Sequence, residues 1–182
     1  MPKLFLVRHG EAASGYAQSA DPGLSAKGVQ QAEALAQRLV GWPPVAIWSS
    51  PLLRAQQTAH PLAVSWSRKP VIEPRVSEIP APDGDNLAGR GVWLQKFMTS
   101  HWRDAPDALK AWRKSALDAL TSIQEDTIVF THFVAINVAA GAATGQDKVT
   151  CFMPDNASLW SLDVVGGKLL LSAMGAQATP HG

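Results

Sequence analysis

Three apolar runs of strand length constrain this chain more than any other feature: KLFLV at 3–7, VAIWS at 45–49 and TIVFT at 127–131. Each is too short for a helix, and near-continuous apolarity marks a strand covered on both faces. Each is also followed by a segment that can form a helix. Between Ser25 and Leu39 the residues Ala32, Leu35, Ala36 and Leu39 recur at helical spacing, with Ser25 as a natural N-cap. Ser50 and Pro51 read as the N-cap and first residue of a second helix that runs to about Val64. Val134 to Ala143 is a helix of small residues ended by Gly145. Such alternation predicts an α/β fold: a three-layer sandwich with a mostly parallel central sheet and helices on both faces. In folds of this kind ligands sit beyond the carboxyl ends of the strands.

The rest of the chain fits around that frame. Val71-Ile72 is a short third strand, and Glu73 to Asn86 is a loop rich in proline and acid. Leu87 to Ile123 reads as two helices broken near Pro106, with Trp93, Leu94, Phe97 and Met98 on one stripe and Leu109, Trp112, Ala116 and Leu120 on another. These helices are expected to form a cap, residues 80–124, inserted into a single domain of residues 1–182. Packing between the cap helices is the expected role of Trp93, Trp102 and Trp112. Two late strands, 157–164 and 168–173, are joined by Gly166-Gly167, a hairpin signal. The tail from Gly175 is expected to fray.

A chain of 182 residues with 46% hydrophobic and 17% charged residues has enough apolar material for a real core. Its net charge of +1 gives no overall basic field, so neither nucleic acid nor an anionic membrane is the expected partner. The four apolar residues before Arg8 fall short of the roughly 7–15 of a secretory leader. A cytoplasmic location is therefore expected. Cys151 is the single cysteine, which excludes an intrachain disulfide and a cysteine metal cluster. Oligomeric state is not legible in the sequence.

The chemistry gathers at three strand ends. The first run ends in Arg8-His9-Gly10. The second ends in Ser49-Ser50, with Arg54 in the first turn of the helix after it. The third ends in Thr131-His132. Arg54 is informative because a cation in a first helical turn opposes the macrodipole, at a loss of ~0.3–1 kcal/mol on an exposed surface. A bound anion reverses that sign, since helix N–H groups and a guanidinium both suit phosphate. His9 lacks the partners of a metal ligand at any usual spacing, so no metal is expected. A nucleophile fits better: a neutral imidazole nitrogen can attack phosphorus while arginines neutralise the phosphoryl oxygens. Gly10 is expected to let the backbone pass close to the phosphate.

Arg8-His9-Gly10-Glu11 resembles the RHG signature of the histidine phosphatase superfamily, the phosphoglycerate-mutase-like proteins. The likeness continues through GLSAKGVQQAEALA (Gly23–Ala36), SSPLLRAQQTA (Ser49–Ala59), His132 and Asp155-Asn156-Ala157-Ser158. The resemblance implies a phosphatase that hydrolyses a phosphomonoester through a phosphohistidine at His9. Arg8, Arg54 and His132 would complete the phosphate pocket, flanked by Thr131 and Phe133 as substrate contacts. It also implies a general acid on the loop after the third strand. Glu78 is the best match, held stiffly by its proline neighbours, and Glu73, Asp83 and Asp85 are the alternatives. No cofactor is implied. The substrate would be a phosphorylated small molecule or a phosphoprotein.

The chain departs from the pattern in places. Many members carry an asparagine after the signature that contacts phosphate; this chain has Ala13, Ser14, Gly15 and Tyr16, of which Ser14 could substitute. Position 12 is alanine, unlike the R-H-G-x-R-x-P of phytases, and the loop after Glu78 lacks the G-x-W-E-G of mutases. A phosphatase is favoured over a mutase-type phosphotransferase or a non-catalytic module that binds phospho-ligands. Cys151 lacks the arginine of a C-x5-R nucleophile and is expected to be buried as a small hydrophobe.

Overall fold

The computed structural model describes residues 1–15, 18–81 and 87–179. Its elements are β1 (Lys3–Arg8), α1 (Ala26–Leu39), β2 (Ala46–Ser49), α2 (Leu53–Ser65), β3 (Val71–Ile72), a 3-10 turn (Pro74–Val76) and α3 (Leu87–Met98). A second 3-10 turn (Trp102–Asp104), α4 (Asp107–Thr121), β4 (Thr127–Thr131), α5 (Phe133–Ala143), β5 (Leu159–Val165) and β6 (Lys168–Ala173) follow.

Among the described residues the strands form one six-stranded sheet in the order β3-β2-β4-β1-β5-β6. The pairs β1–β4, β2–β4 and β2–β3 are parallel, as the alternating pattern predicts. Strand β5 alone runs against the rest, pairing antiparallel with both β1 and β6. The β5–β6 turn places both Gly166 and Gly167 at positive φ (56° and 73°), which a tight hairpin needs and side chains resist.

Alternation along each strand sends side chains to opposite faces. Leu4, Leu6, Val129, Trp160 and Leu162 pack with Leu120 of α4 and Ile136 and Ala139 of α5. Val7, Ile47, Ile128 and Phe130 pack with Leu35 and Leu39 of α1 and Ala59 and Leu62 of α2. A third cluster joins Ile79, Phe97, Trp102, Leu109 and Ala116 to Val134 and Val138 of α5. Three tryptophans spend their rings here: Trp93 stacks on Phe97 at 5.3 Å, and Trp102 meets Phe97 and Trp112 at 5.5 and 6.3 Å.

Two local expectations need correction. Ser50 does not cap α2. The helix starts at Leu53 with Leu52 as N-cap and no side-chain cap bond. The Ser50 hydroxyl instead accepts from Leu52 N and meets His132 Nε2 at 2.7 Å, while Asp21 Oδ1 accepts from Leu53 N at the helix start. Nor is the tail loose up to residue 178: Asp155 N donates to Ala176 O, and Ala178 N to Met153 O.

Candidate active site

Register brings the three strand ends together. Strand β4 lies between β1 and β2, with Arg8 opposite Thr131 and Ser49 opposite Phe130. The residues just past those pairs, His9, Ser50 and His132, therefore share one edge of the sheet. His9 N donates to Thr131 O and Ser50 N to Phe130 O, which carries the sheet bonding into the site itself.

The loop after β1 is fastened from two sides. Gly10 N donates to Thr58 Oγ1, whose hydroxyl donates in turn to Arg54 O. Glu11 is tied to α1: its N donates to Gln31 Oε1, its carboxylate accepts from Ser25 Oγ and its carbonyl accepts from Ser25 N. Ser25 caps α1 by accepting from Gly28 N, as expected. Gly28 and Gly10 are a matched pair. A Cβ on Gly28 would lie 2.1 Å from Glu11 O, and one on Gly10 would lie 2.6 Å from Gly28 O. Gly10 thus makes room for helix α1. The stretches around Ser25 and Thr58 hold the signature loop in place, a role that helical periodicity alone does not reveal.

His9 is 7% exposed. Its Nδ1 lies 2.7 Å from Gly10 O, so Nδ1 carries the hydrogen and Nε2 keeps its lone pair. Arg54 Nε donates to that Nε2 at 3.1 Å. Burial chiefly, then the charges of Arg54 and Arg8, push the His9 pKa down to about 3. The imidazole is neutral at any ordinary pH. Burial likewise holds fully enclosed His132 neutral, reinforced by His9, Arg54 and Arg8.

Arg54, 4% exposed, is projected by the first turn of α2. Arg8 ends β1, donates from Nη1 to Pro154 O and lies over the Phe133 ring at 5.3 Å. The segment after residue 154 wraps this strand end. Ala157 N donates to Arg8 O, and Asn156 Nδ2 donates to His9 O.

Glu78 sits on the opposite wall, its side chain 9% exposed. Burial raises its pKa against the pull of the Ile79 and Val134 N–H groups and the charges of Arg54 and Arg8. Its Oε2 is 4.0 Å from Nδ1 of His132, whose burial keeps the imidazole uncharged, so this contact is not an ion pair. Glu78 Oε1 accepts from Ile79 N at 3.0 Å, and the chain is anchored on either side: Thr131 Oγ1 donates to Val76 O, and Ile79 is wholly buried. Pro80, by contrast, is exposed. Glu73 is taken up elsewhere, in a 2.8 Å ion pair with Arg75 that lowers its pKa. Asp83 and Asp85 lie outside the described residues.

Arg8, His9, Arg54, Glu78, Ser14 and Phe133 all line one cavity of about 430 Å3. His132 and Thr131 stand behind that wall, with the Thr131 hydroxyl committed to Val76. Asn156, Leu94, Met98 and Met153 also line the cavity. The sequence marked Leu94 and Met98 only as helix-packing residues, because periodicity does not distinguish a covered face from one that walls a cavity. Among the described residues no three His, Cys, Asp or Glu side chains are grouped to hold a metal. Cys151 is half-buried and away from the cavity, its Sγ near Lys148 O and its pKa raised by burial. No helix among the described residues is long and apolar enough to cross a membrane.

The chain belongs to the histidine phosphatase superfamily, branch 1, which it matches over residues 4–177. Its fold is that of a Bacillus stearothermophilus protein, YhfR (TM-score 0.79, 23% identity, 98% of each chain). It is also that of a phosphoserine phosphatase from Entamoeba histolytica (TM-score 0.75, 21% identity, 97% of this chain and 98% of that one). In sequence it is 32% identical to phosphoserine phosphatase 1 of Hydrogenobacter thermophilus over 116 residues, 62% of this chain. The matches span between 14% and 61% of the length of the curated relatives.

Proposed function

We propose that this chain hydrolyses the phosphomonoester of a small molecule through a phosphohistidine at His9, without a metal ion. The observation that carries the proposal is the pairing of a neutral His9, its Nε2 facing the Arg54 guanidinium, with Glu78, whose pKa burial raises, in one cavity. Family membership and the phosphoserine phosphatase relative agree with it.

His9 Nε2 attacks phosphorus in line. The P–N bond forms as the ester P–O bond breaks, and Glu78 gives its proton to the departing alkoxide. Arg54 exchanges its bond to Nε2 for one to a phosphoryl oxygen, so the guanidinium follows the negative charge. Arg8 neutralises the remaining oxygens, and neutral His132, its Nε2 against Ser50, stands behind His9 with the two rings 5.2 Å apart. In the second half, Glu78 as carboxylate takes a proton from water. The water oxygen attacks phosphorus, the P–N bond breaks, and inorganic phosphate leaves a neutral His9. The two arginines supply the charge compensation that a metal supplies elsewhere. Residues 80–124 act as a cap over the ester's alcohol portion, with Ser14 and Phe133 at the cavity wall.

The direct test is release of phosphate from p-nitrophenyl phosphate in EDTA. Activity is expected in the native chain and loss of at least ~10³-fold in His9→Ala, the scale of a removed nucleophile. Activity that survives His9→Ala would refute the proposal. Faster transfer to an added alcohol than to water would favour a phosphotransferase.

A further inference from the structure

The cavity's charges are used up at one end. Of its lining residues, Arg8 and Arg54 are the only lysines or arginines among those described, and both converge on His9. A phosphate dianion needs both. Glu11, also on the wall, is a carboxylate held by Ser25 and by Lys27 at 3.6 Å. The segments outside the described residues, 16–17, 82–86 and 180–182, contain neither lysine nor arginine. Arg90, one turn before Leu94 on α3, is not part of the lining.

Away from the two arginines the wall carries Glu11, Ser14 and Asn156, none of them a cation, and is otherwise mainly apolar: Leu94 and Met98 of α3, Phe133 and Val134 opening α5, Met153 and Ala178. About 430 Å3 is far more than one phosphate occupies and lies within the ~300–1,000 Å3 of small-molecule sites. An apolar group placed there gains its transfer free energy, and the methionines adapt to its shape. A carboxylate placed there loses its water and finds no cation in exchange.

We propose, resting on the phosphatase reading, that the alcohol portion of the substrate is uncharged and apolar, an alkyl or arylalkyl group, and that esters carrying a carboxylate beside the phosphate are poor substrates. The contrast runs along α3. Leu94 and Met98 face the alcohol portion, so a cation at either position creates the missing partner for a carboxylate.

The experiment compares kcat/KM for 2-phenylethyl phosphate and n-hexyl phosphate with that for O-phosphoserine and 3-phosphoglycerate. A preference of at least ~100-fold for the neutral esters is expected, the scale on which apolar pockets discriminate. Leu94→Lys and Met98→Lys, made separately, are each expected to narrow that ratio at least tenfold by raising activity on the carboxylated esters. Calorimetry with the non-hydrolysable pair 3-phenylpropylphosphonate and 2-amino-4-phosphonobutyrate reads the same preference without turnover. Equal or better use, or binding, of the carboxylated partner overturns the inference. Selective binding of the phenyl phosphonate with no hydrolysis of any ester sinks the catalytic reading and upholds the selectivity.

Discussion

His9 and Glu78 are two titratable groups whose surroundings push them in opposite directions, each toward its neutral form. The proposed catalysis needs both. Glu78→Gln is expected to slow alkyl esters by ~10²–10⁴-fold, the range of general-acid catalysis, and p-nitrophenyl phosphate far less, because that leaving group departs without a proton. Equal slowing on both, in steady-state assays, would remove Glu78 from the acid role. The same shifts act on stability. The unfolded chain protonates His9 below about pH 6.5, whereas the native chain does so only near 3. Acidification through that window therefore favours the unfolded state, and His132 adds the same sign. Glu78 has the opposite sign: its raised pKa makes stability fall as pH rises above the ordinary carboxylate value. Urea midpoints of His9→Asn are expected to fall less steeply than those of the native chain between pH 6.5 and 3. The residues themselves were legible because Arg8, His9, Arg54 and His132 stand at the ends of apolar runs. The raised pKa of Glu78 was not, since it depends on a burial to which Ile79 and Val76 contribute.

At the scale of elements, α1 is more than a covering for the sheet. Its Ser25, Gly28 and Gln31 all touch Glu11 or cap the turn that does. Alanine in place of glycine usually stabilises a helix by up to ~1 kcal/mol. At Gly28 the new methyl would sit 2.1 Å from Glu11 O, against backbone that cannot turn aside. Overpacking of this kind costs ~1–3 kcal/mol and is expected to prevail. Gly28→Ala should lower the urea midpoint and reduce kcat for p-nitrophenyl phosphate at least tenfold. Gly41→Ala, with nothing within 4 Å of its Cβ, should do neither. Helix α2 teaches a related lesson. Ser50-Pro51 carries the composition of a helix start, yet the helix begins at Leu53, and the Ser50 hydroxyl is shared between Leu52 N and His132 Nε2. Local propensity gave way there to the demands of a buried imidazole.

Across the whole molecule, the parallel core of the sheet follows from alternating strands and helices, and the hairpin from its paired glycines. That β5 pairs with β1, reversing the sheet's direction beside the site, is a tertiary outcome that no local pattern carries. Its entry segment reaches the site, and Asn137 of α5 governs the approach. Its Oδ1 accepts from both Cys151 N and Phe152 N, just before the Pro154 carbonyl that receives Arg8. Asn137→Ala is expected to cost about 1–3 kcal/mol for each orphaned N–H. It should also raise KM several-fold while changing kcat less, since the proposed mechanism has Arg8 bind the phosphate and gives it no part in proton transfer. A fall in kcat alone would contradict that division.

The contact between Gly10 and Gly28 makes the signature loop poorly portable. Arg8 and His9 grafted onto another strand would bring the reagents without the helix that receives their backbone. By the same reasoning, a duplicated copy of this chain could keep all four cationic and imidazole side chains and still fall silent through one added methyl at position 28. Decay of such a copy would be visible eighteen residues downstream of Gly10 before it touched a reacting atom.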